Sequence, residues 1–217
     1  MKLNDLYESA LPMDKASRME RAKAMGFNTV AYHGTTAKFN EFDMERGKAN
    51  HSGFAPFFSD QRSEAKGYAD MRKDEGEAGH VMNVLLRIRK PLIVPDTWAK
   101  TPEDWPQTDH ETYAMVTGGQ LPTDSKRRNR TLTTTDALDH AMDIHYEETG
   151  NYNRREIWAK IYARLRAAGY DAIIWQDTRA DHSNGSYNKI VMLDMSGIRL
   201  ASARFDPAKA SSTDLRA

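Results

Sequence analysis

Residues Asn28–Thr36 read N-T-V-A-Y-H-G-T-T, a β-branched and aromatic run that ends on Gly34-Thr35-Thr36. The run predicts a strand, and the glycine with two threonines predicts a turn that stops it and exposes His33 and Thr35 at the strand end. Just upstream, M-D-K-A-S-R-M-E-R-A-K-A-M at Met13–Met25 sets Ala16, Met19, Ala22 and Met25 three residues apart. That spacing makes a short amphipathic helix with Asp14 as its cap and Gly26 after it. Downstream, Phe54–Ser59 reads as a second strand, and Asp60 as the cap of a helix that reaches about Met71.

Beyond that helix, H-V-M-N-V-L-L-R-I at His80–Ile88 is the clearest apolar run of the chain and continues past Lys90-Pro91 into Leu92–Val94. Proline at that point argues for a bend or a sheet edge. From Pro95 to about Arg154 the composition shifts to Trp, Pro, Thr and charge, with helical periodicity in Asp136–Glu147; this is read as a mostly helical insertion at 95–154. Arg155–Ala168 is a helix with Ile157, Ile161 and Leu165 on one face and Gly169 as its C-cap. Strands return at Asp171–Trp175, Tyr187–Asp194 and Ile198–Ala203, and the polar tail at 208–217 reads as disordered. The expectation is one α+β domain over 1–207, with mixed or antiparallel sheets, flanking helices and the helical insertion.

Composition narrows the chemistry. The 217 residues hold 31 Lys and Arg against 31 Asp and Glu, so the whole-molecule field steers toward neither nucleic acid nor an anionic membrane. There is no cysteine, which excludes disulfides, thiolate metal sites and a cysteine nucleophile in these residues and suits a reducing cytoplasm. No apolar run approaches the roughly 18–20 residues of a membrane span. G-x-G-x-x-G, the P-loop pattern and H-E-x-x-H are all missing, so dinucleotide binding of the Rossmann type is not expected. His140 and His145 lie beside Asp139, Asp143 and Glu147, but a five-residue step does not give an i, i+4 metal pair. They are read as an exposed helix, with no metal.

Three segments carry the functional signal: Y-H-G-T-T at Tyr32–Thr36, F-F-S-D-x-x-x-E-A-x-x-Y-A at Phe57–Ala69, and Y-D-A-I-I-W at Tyr170–Trp175 leading to Y-N-K-I-V-M-L-D at Tyr187–Asp194. Taken one at a time each has an ordinary explanation. A histidine before glycine is a turn or core residue, Phe57, Phe58 and Tyr68 are core aromatics, and Ser59 is a strand-end hydroxyl near a helix cap. Taken together they resemble ADP-ribosyltransferases of the diphtheria-toxin and poly(ADP-ribose)-polymerase type, and most closely the transferase domains of phage polyvalent proteins. The resemblance spans roughly residues 13–94 and 155–207 and leaves the insertion unassigned.

What the resemblance implies is specific. It makes NAD⁺ the co-substrate, bound without a metal. His33 holds the adenosine ribose, and Gly34 with Thr35 lets the backbone approach the nicotinamide amide. Phe57 and Tyr68, eleven residues apart, sandwich the nicotinamide ring, with Phe58 and Ser59 beside them. A flat cationic ring gains about 0.5–2 kcal/mol per aromatic face. As a strand-end residue, His33 is expected to matter for activity and little for stability.

The glutamate that the family usually carries on a late strand is replaced by Lys189, which cannot accept a hydrogen bond. The resemblance then points to Asp181 or Asp177, in the loop Gln176–Gly185, as the carboxylate; the other reading of both is that of turn formers. The implied activity is mono-ADP-ribosylation of a macromolecular acceptor, a protein ahead of a nucleic acid, in the cytoplasm of a bacterial or host cell, as a phage or prophage effector, toxin or host-takeover factor. An NAD⁺ glycohydrolase and a non-catalytic NAD⁺ or ADP-ribose binding module stay open as alternatives.

Overall fold

Hydrogen bonds from Ser17 hold the Asp14 carboxyl below the usual carboxylate range, the backbone N–H donating at 3.0 Å, and α1 (Lys15–Ala24) starts there. The helix ends at Met25, and Gly26 follows with φ +83°, the left-handed backbone that glycine adopts without strain. The computed structural model describes residues 11–44, 53–71, 78–95, 97–98, 102–122, 131–177 and 187–217. They form two compact units.

The first unit draws on 1–42, 58–89 and 194–217. Its strands are β1 (Thr29–Thr35), β2 (Phe57–Ser59), β3 (His80–Leu86) and β9 (Ile198–Leu200), in the order β2-β1-β3-β9 and antiparallel throughout. β1 does not stop at Gly34. It runs on through Thr35 because Gly34 and Thr35 still pair with Val81 and His80 of β3. β2 is shorter than the expected 54–59, since Phe54 and Ala55 lie in a turn that follows Gly53 at φ +91°. α2 (Arg62–Met71) begins where Ser59 Oγ accepts from the Gln61 N–H at 3.0 Å.

Ala22, Phe27, Leu85, Ala203 and Phe205 make a buried cluster in this unit. Two guanidinium groups lie over the Phe27 ring, Arg87 at 5.1 Å and Arg199 at 5.3 Å. Arg199 is fully buried, and desolvation, aided by the nearby Arg87, pulls its pKa down; the carbonyls of Ser196, Ile198 and Lys209 accept from it.

The tail at 208–217 makes backbone hydrogen bonds to the rest of the unit. Leu215 is 1% exposed, and the Leu200 N–H donates to its carbonyl at 2.8 Å. Further N–H groups of Arg204 and Phe205 donate to the carbonyls of Arg216 and Ala217. A polar composition hid this, because the order comes from backbone groups offered by β9 and its continuation and from one apolar side chain.

The second unit draws on 43–57 and 90–193. β4 (Pro91–Val94) pairs in parallel with β7 (Ala172–Asp177), which pairs antiparallel with β8 (Tyr187–Met192). The mixture of parallel and antiparallel pairing with separate helices is the expected α+β class. Asp171 starts β7: its carboxylate accepts from the Lys90 N–H at 3.0 Å.

Within 95–154 the described residues form α3 (Gln107–Thr117) and α4 (Thr134–Thr149) beside a short ribbon of β5 (Thr97–Trp98) and β6 (Leu132–Thr133). A Thr133–Asp136 capping box opens α4, and Asn153 caps α5 (Arg154–Ala167). The segment is no appendage. Trp98, Trp105, Tyr113, Leu132 and Ala137 share one core with Leu92, Ile157, Trp158, Ile161, Leu165 and Trp175.

His140 and His145 are buried rather than exposed: Tyr113 Oη lies 2.8 Å from His140 Nδ1, and His145 Nε2 lies 3.5 Å from a Glu156 carboxylate oxygen. Burial also pushes the Tyr162 phenol above its usual pKa, although the Ala55 N–H donates to it at 3.4 Å. Among the described residues, no helix is long and apolar enough to cross a membrane, and no group of three or more His, Asp or Glu is placed to hold a metal ion.

Candidate functional site

The register Tyr32↔Ser59 sorts the motif residues by face. Directly opposed residues of an antiparallel pair project the same way, and neighbours along a strand alternate. His33 and Phe58 therefore share one face, together with Ala31 and Thr35. Gly34, Ser59 and Phe57 take the other, together with Tyr32.

On the first face the imidazole of His33 meets three phenylalanine rings. Their centroids lie 4.9 Å away for Phe42, 5.4 Å for Phe58 and 6.2 Å for Phe39, with Phe39 and Phe42 edge-on at 72° and 88°. Phe58 has no exposed surface, so it backs His33 instead of offering a face to a ligand. Phe39 and Phe42 were not singled out in the sequence. The available signal was F-N-E-F at Phe39–Phe42, two aromatics with i, i+3 spacing in an otherwise polar stretch after the Y-H-G-T-T motif.

On the second face α2 crosses β1 at Gly34. A Cβ on Gly34 would fall inside contact distance of the Ala65 carbonyl oxygen and 2.9 Å from the Ala69 backbone nitrogen. Only glycine allows that approach. Ala65 and Ala69 are the buried residues of α2, and Tyr68, three residues after Ala65, is half-buried at the margin of their stripe. Gly34 therefore has a packing role that the sequence left unstated.

The hydroxyls of the motif serve local turns. Thr35 Oγ1 accepts from the Ala37 N–H at 3.1 Å, and Ser59 Oγ accepts from Gln61. Both residues are buried, and each keeps its O–H as a donor. Phe57 itself belongs to the second unit, where it is half-buried and packs against that unit's core.

The late-strand residues fall elsewhere. Lys189 pairs with Trp175 across β7 and β8, and its ammonium sits 5.4 Å from the Tyr187 ring centroid. Asp177 closes β7 in register with Tyr187. Its side chain and the whole of Asp181 lie outside the described residues.

Chemically, the first unit offers an imidazole able to donate and accept, a tyrosine ring at a helix margin, and a strand end where a helix and a strand come within backbone contact. A family model described as ADP-ribosyltransferase in polyvalent proteins matches residues 24–203, from the last residue of α1 to just past β9 and including the 95–154 segment. Comparison with curated proteins and with solved structures gave no match. The matched range holds Y-H-G-T-T and F-F-S at its β1 and β2 ends, and with most of its length inside that model the chain belongs to the ADP-ribosyltransferases of polyvalent proteins, a family that uses NAD⁺ as its substrate.

Proposed function

We propose that the chain is a mono-ADP-ribosyltransferase that cleaves NAD⁺ and passes ADP-ribose to a macromolecular acceptor, a protein in preference to a nucleic acid. The observation that carries this reading is the Tyr32↔Ser59 pairing inside a family match, which brings the Y-H-G-T-T strand and the F-F-S strand side by side with α2 across Gly34. His33 is assigned the adenosine ribose, donating from one ring nitrogen and accepting at the other. Backbone groups of Gly34 and Thr35, with the Ser59 hydroxyl, are assigned the nicotinamide amide. Tyr68 supplies one aromatic face for the nicotinamide ring, and Phe57, at the start of β2, is assigned the second.

In the reaction the bond between the ribose C1′ and the nicotinamide nitrogen breaks, and the electron pair leaves with nicotinamide. The acceptor's nucleophilic atom then bonds to C1′ and loses its proton to solvent or to a nearby base. Because C1′ passes through an oxocarbenium-like state, a carboxylate that stabilises positive charge lowers the barrier. That part is assigned to Asp181, with Asp177 as the second candidate. Transfer of a single unit follows from Lys189, which stands where the family's elongating enzymes carry a glutamate. We place the activity in the cytoplasm of a bacterial or host cell, as an effector encoded by a phage or prophage.

One observation favours a second reading: the Lys189 ammonium rests on Tyr187, so a cation occupies the strand position of the usual carboxylate. A chain that keeps the fold and binds NAD⁺ or ADP-ribose without turnover accounts for that lysine. Nicotinamide release, measured with and without cell lysate, separates the cases. Release that needs lysate supports the transferase, release in buffer alone makes water the acceptor and the protein a glycohydrolase, and no release in either leaves a binding module.

A further inference from the structure

Leu215 joins two parts of the first unit that are distant in sequence. Its N–H donates to the Asn40 carbonyl at 2.8 Å, and its own carbonyl accepts from the Leu200 N–H of β9 at 2.8 Å. Beside it, Thr213 Oγ1 donates to a Glu41 carboxylate oxygen at 3.1 Å. Asn40 and Glu41 are the two residues between Phe39 and Phe42, whose rings stand edge-on to His33. We infer that residues 213–215 are a positioning clamp that holds the Phe39–Phe42 loop against His33 and so fixes the orientation of its imidazole; the inference rests on the assignment of His33 to NAD⁺.

The local energetics support a clamp over a passive tail. The loop leaves β1 at Thr35, where the Ala37 N–H is bound to the Thr35 hydroxyl, so its near end is tied. Its far side is held to β9 through Leu215. Fixing a loop at both ends removes the backbone freedom that would let its side chains leave their contacts. Phe39 and Phe42 also touch each other, centroids 4.8 Å apart, and Phe42 lies 5.3 Å from Phe58, so a loop that moves takes two of the three rings away from His33 together. The clamp lies beyond residue 203, where the family match ends.

The test uses the full chain, a protein lacking Ser211–Ala217, and Leu215→Ile, which keeps both backbone bonds. In the full chain the His33 ring resonances, assigned by their disappearance in His33→Gln, are shifted by the ring currents of Phe42 and Phe58. The expected result is that the deletion keeps the far-ultraviolet circular dichroism of the full chain while its His33 resonances move toward free histidine, and that Leu215→Ile matches the full chain. KM for NAD⁺ should rise about tenfold in the deletion, with kcat within about twofold, as for lost preorganisation of a binding group. A folded deletion with unchanged His33 resonances overturns the clamp.

Should the deletion fail to fold, hydrogen exchange in the full chain decides. A Leu215 N–H protected to the level of the β9 amides supports the clamp, and exchange at the free-peptide rate overturns it. If the full chain neither binds NAD⁺ nor releases nicotinamide, the assignment of His33 falls, whereas the resonance and exchange results still decide whether the loop is clamped.

Discussion

His33 and Gly34 are consecutive in β1, yet they face opposite ways: the imidazole lies 4.9 Å from the Phe42 ring, while the missing side chain of Gly34 leaves room for α2. One residue thus ties β1 to an aromatic cluster and the next to a helix. The contact with Phe42 revises the expectation that His33 contributes little to stability. His33→Ala should lose about 1–3 kcal/mol of stability along with roughly 10²-fold in turnover, the sum of lost ring contacts and lost ribose orientation. His33→Phe separates the two effects, since it keeps an aromatic ring but has no nitrogen. A thermal midpoint near that of the wild type with turnover still down about 10²-fold is the expected outcome. An active His33→Phe protein would make this histidine a packing residue.

Gly34→Ala is expected to be a folding defect. Its new methyl would meet the Ala65 carbonyl and the Ala69 nitrogen, both backbone atoms that cannot swing aside. Overpacking of this kind costs about 1–3 kcal/mol, and the upper end applies where the clash is with backbone. Denaturant unfolding of the variant measures it, and a midpoint equal to the wild type's would mean that α2 does not cross β1 at this point.

The elements most legible in the sequence are those whose reasons are local. The three-residue steps of α1 with Asp14, the apolar run of β3 and the Ile157-Ile161-Leu165 stripe of α5 each declare themselves within one segment; all three elements form, though β3 ends at Leu86 and Pro91–Val94 is a separate strand paired with β7. The rest depends on distant partners. Alternation shows that only one of Phe57 and Phe58 can back His33, but the Tyr32↔Ser59 register decides that it is Phe58. The F-N-E-F spacing does not by itself make Phe39 and Phe42 neighbours of His33, nor does S-S-T-D-L-R-A declare that it bonds to the end of β9. The burial of His140 likewise comes from Tyr113, which is 27 residues away in the chain.

That last pair makes the 95–154 segment testable as part of a core. Tyr113 is fully buried in the cluster of Trp98 and Trp105, and its hydroxyl lies 2.8 Å from His140 Nδ1. Tyr113→Phe keeps the ring and removes the hydroxyl from a buried polar pair, a loss of about 1–3 kcal/mol. Chemical denaturation should show this loss in the transition that also reports Trp158 and Trp175 of the same core. A change confined to a separate, earlier transition would make the segment an independent insert after all.

Tyr68 tests the nicotinamide end of the proposed site without touching the sheet. It is half-buried at the margin of α2, so Tyr68→Ala leaves the Ala65 and Ala69 contacts with β1 in place. Loss of one stacking face should weaken NAD⁺ binding by about 1–2 kcal/mol, close to tenfold in Kd, and Tyr68→Phe should restore most of it. Calorimetric titration of both variants decides the point. Equal affinity in wild type and Tyr68→Ala would remove the tyrosine from the site.

The carboxylate is the remaining requirement of the chemistry. Lys189 cannot meet it: its ammonium carries the wrong sign for an oxocarbenium-like centre and is engaged with the Tyr187 ring. In the proposed chemistry the acid comes from another segment, and the candidates are Asp177, the last residue of β7, and Asp181, further along the chain. A group that acts when positive charge develops on C1′ lowers the barrier more than it tightens the ground state. Asp181→Asn should therefore reduce turnover by about 10²–10³-fold with NAD⁺ affinity within about twofold, and Asp177→Asn should do less, because a strand-end aspartate also has a turn to form. Adding Lys189→Glu to Asp181→Asn sharpens the result: recovery of nicotinamide release would show that the strand position accepts a carboxylate and that Asp181 had taken over its part. Wild-type turnover in Asp177→Asn, Asp181→Asn and the double variant would exclude the loop as the source of the acid.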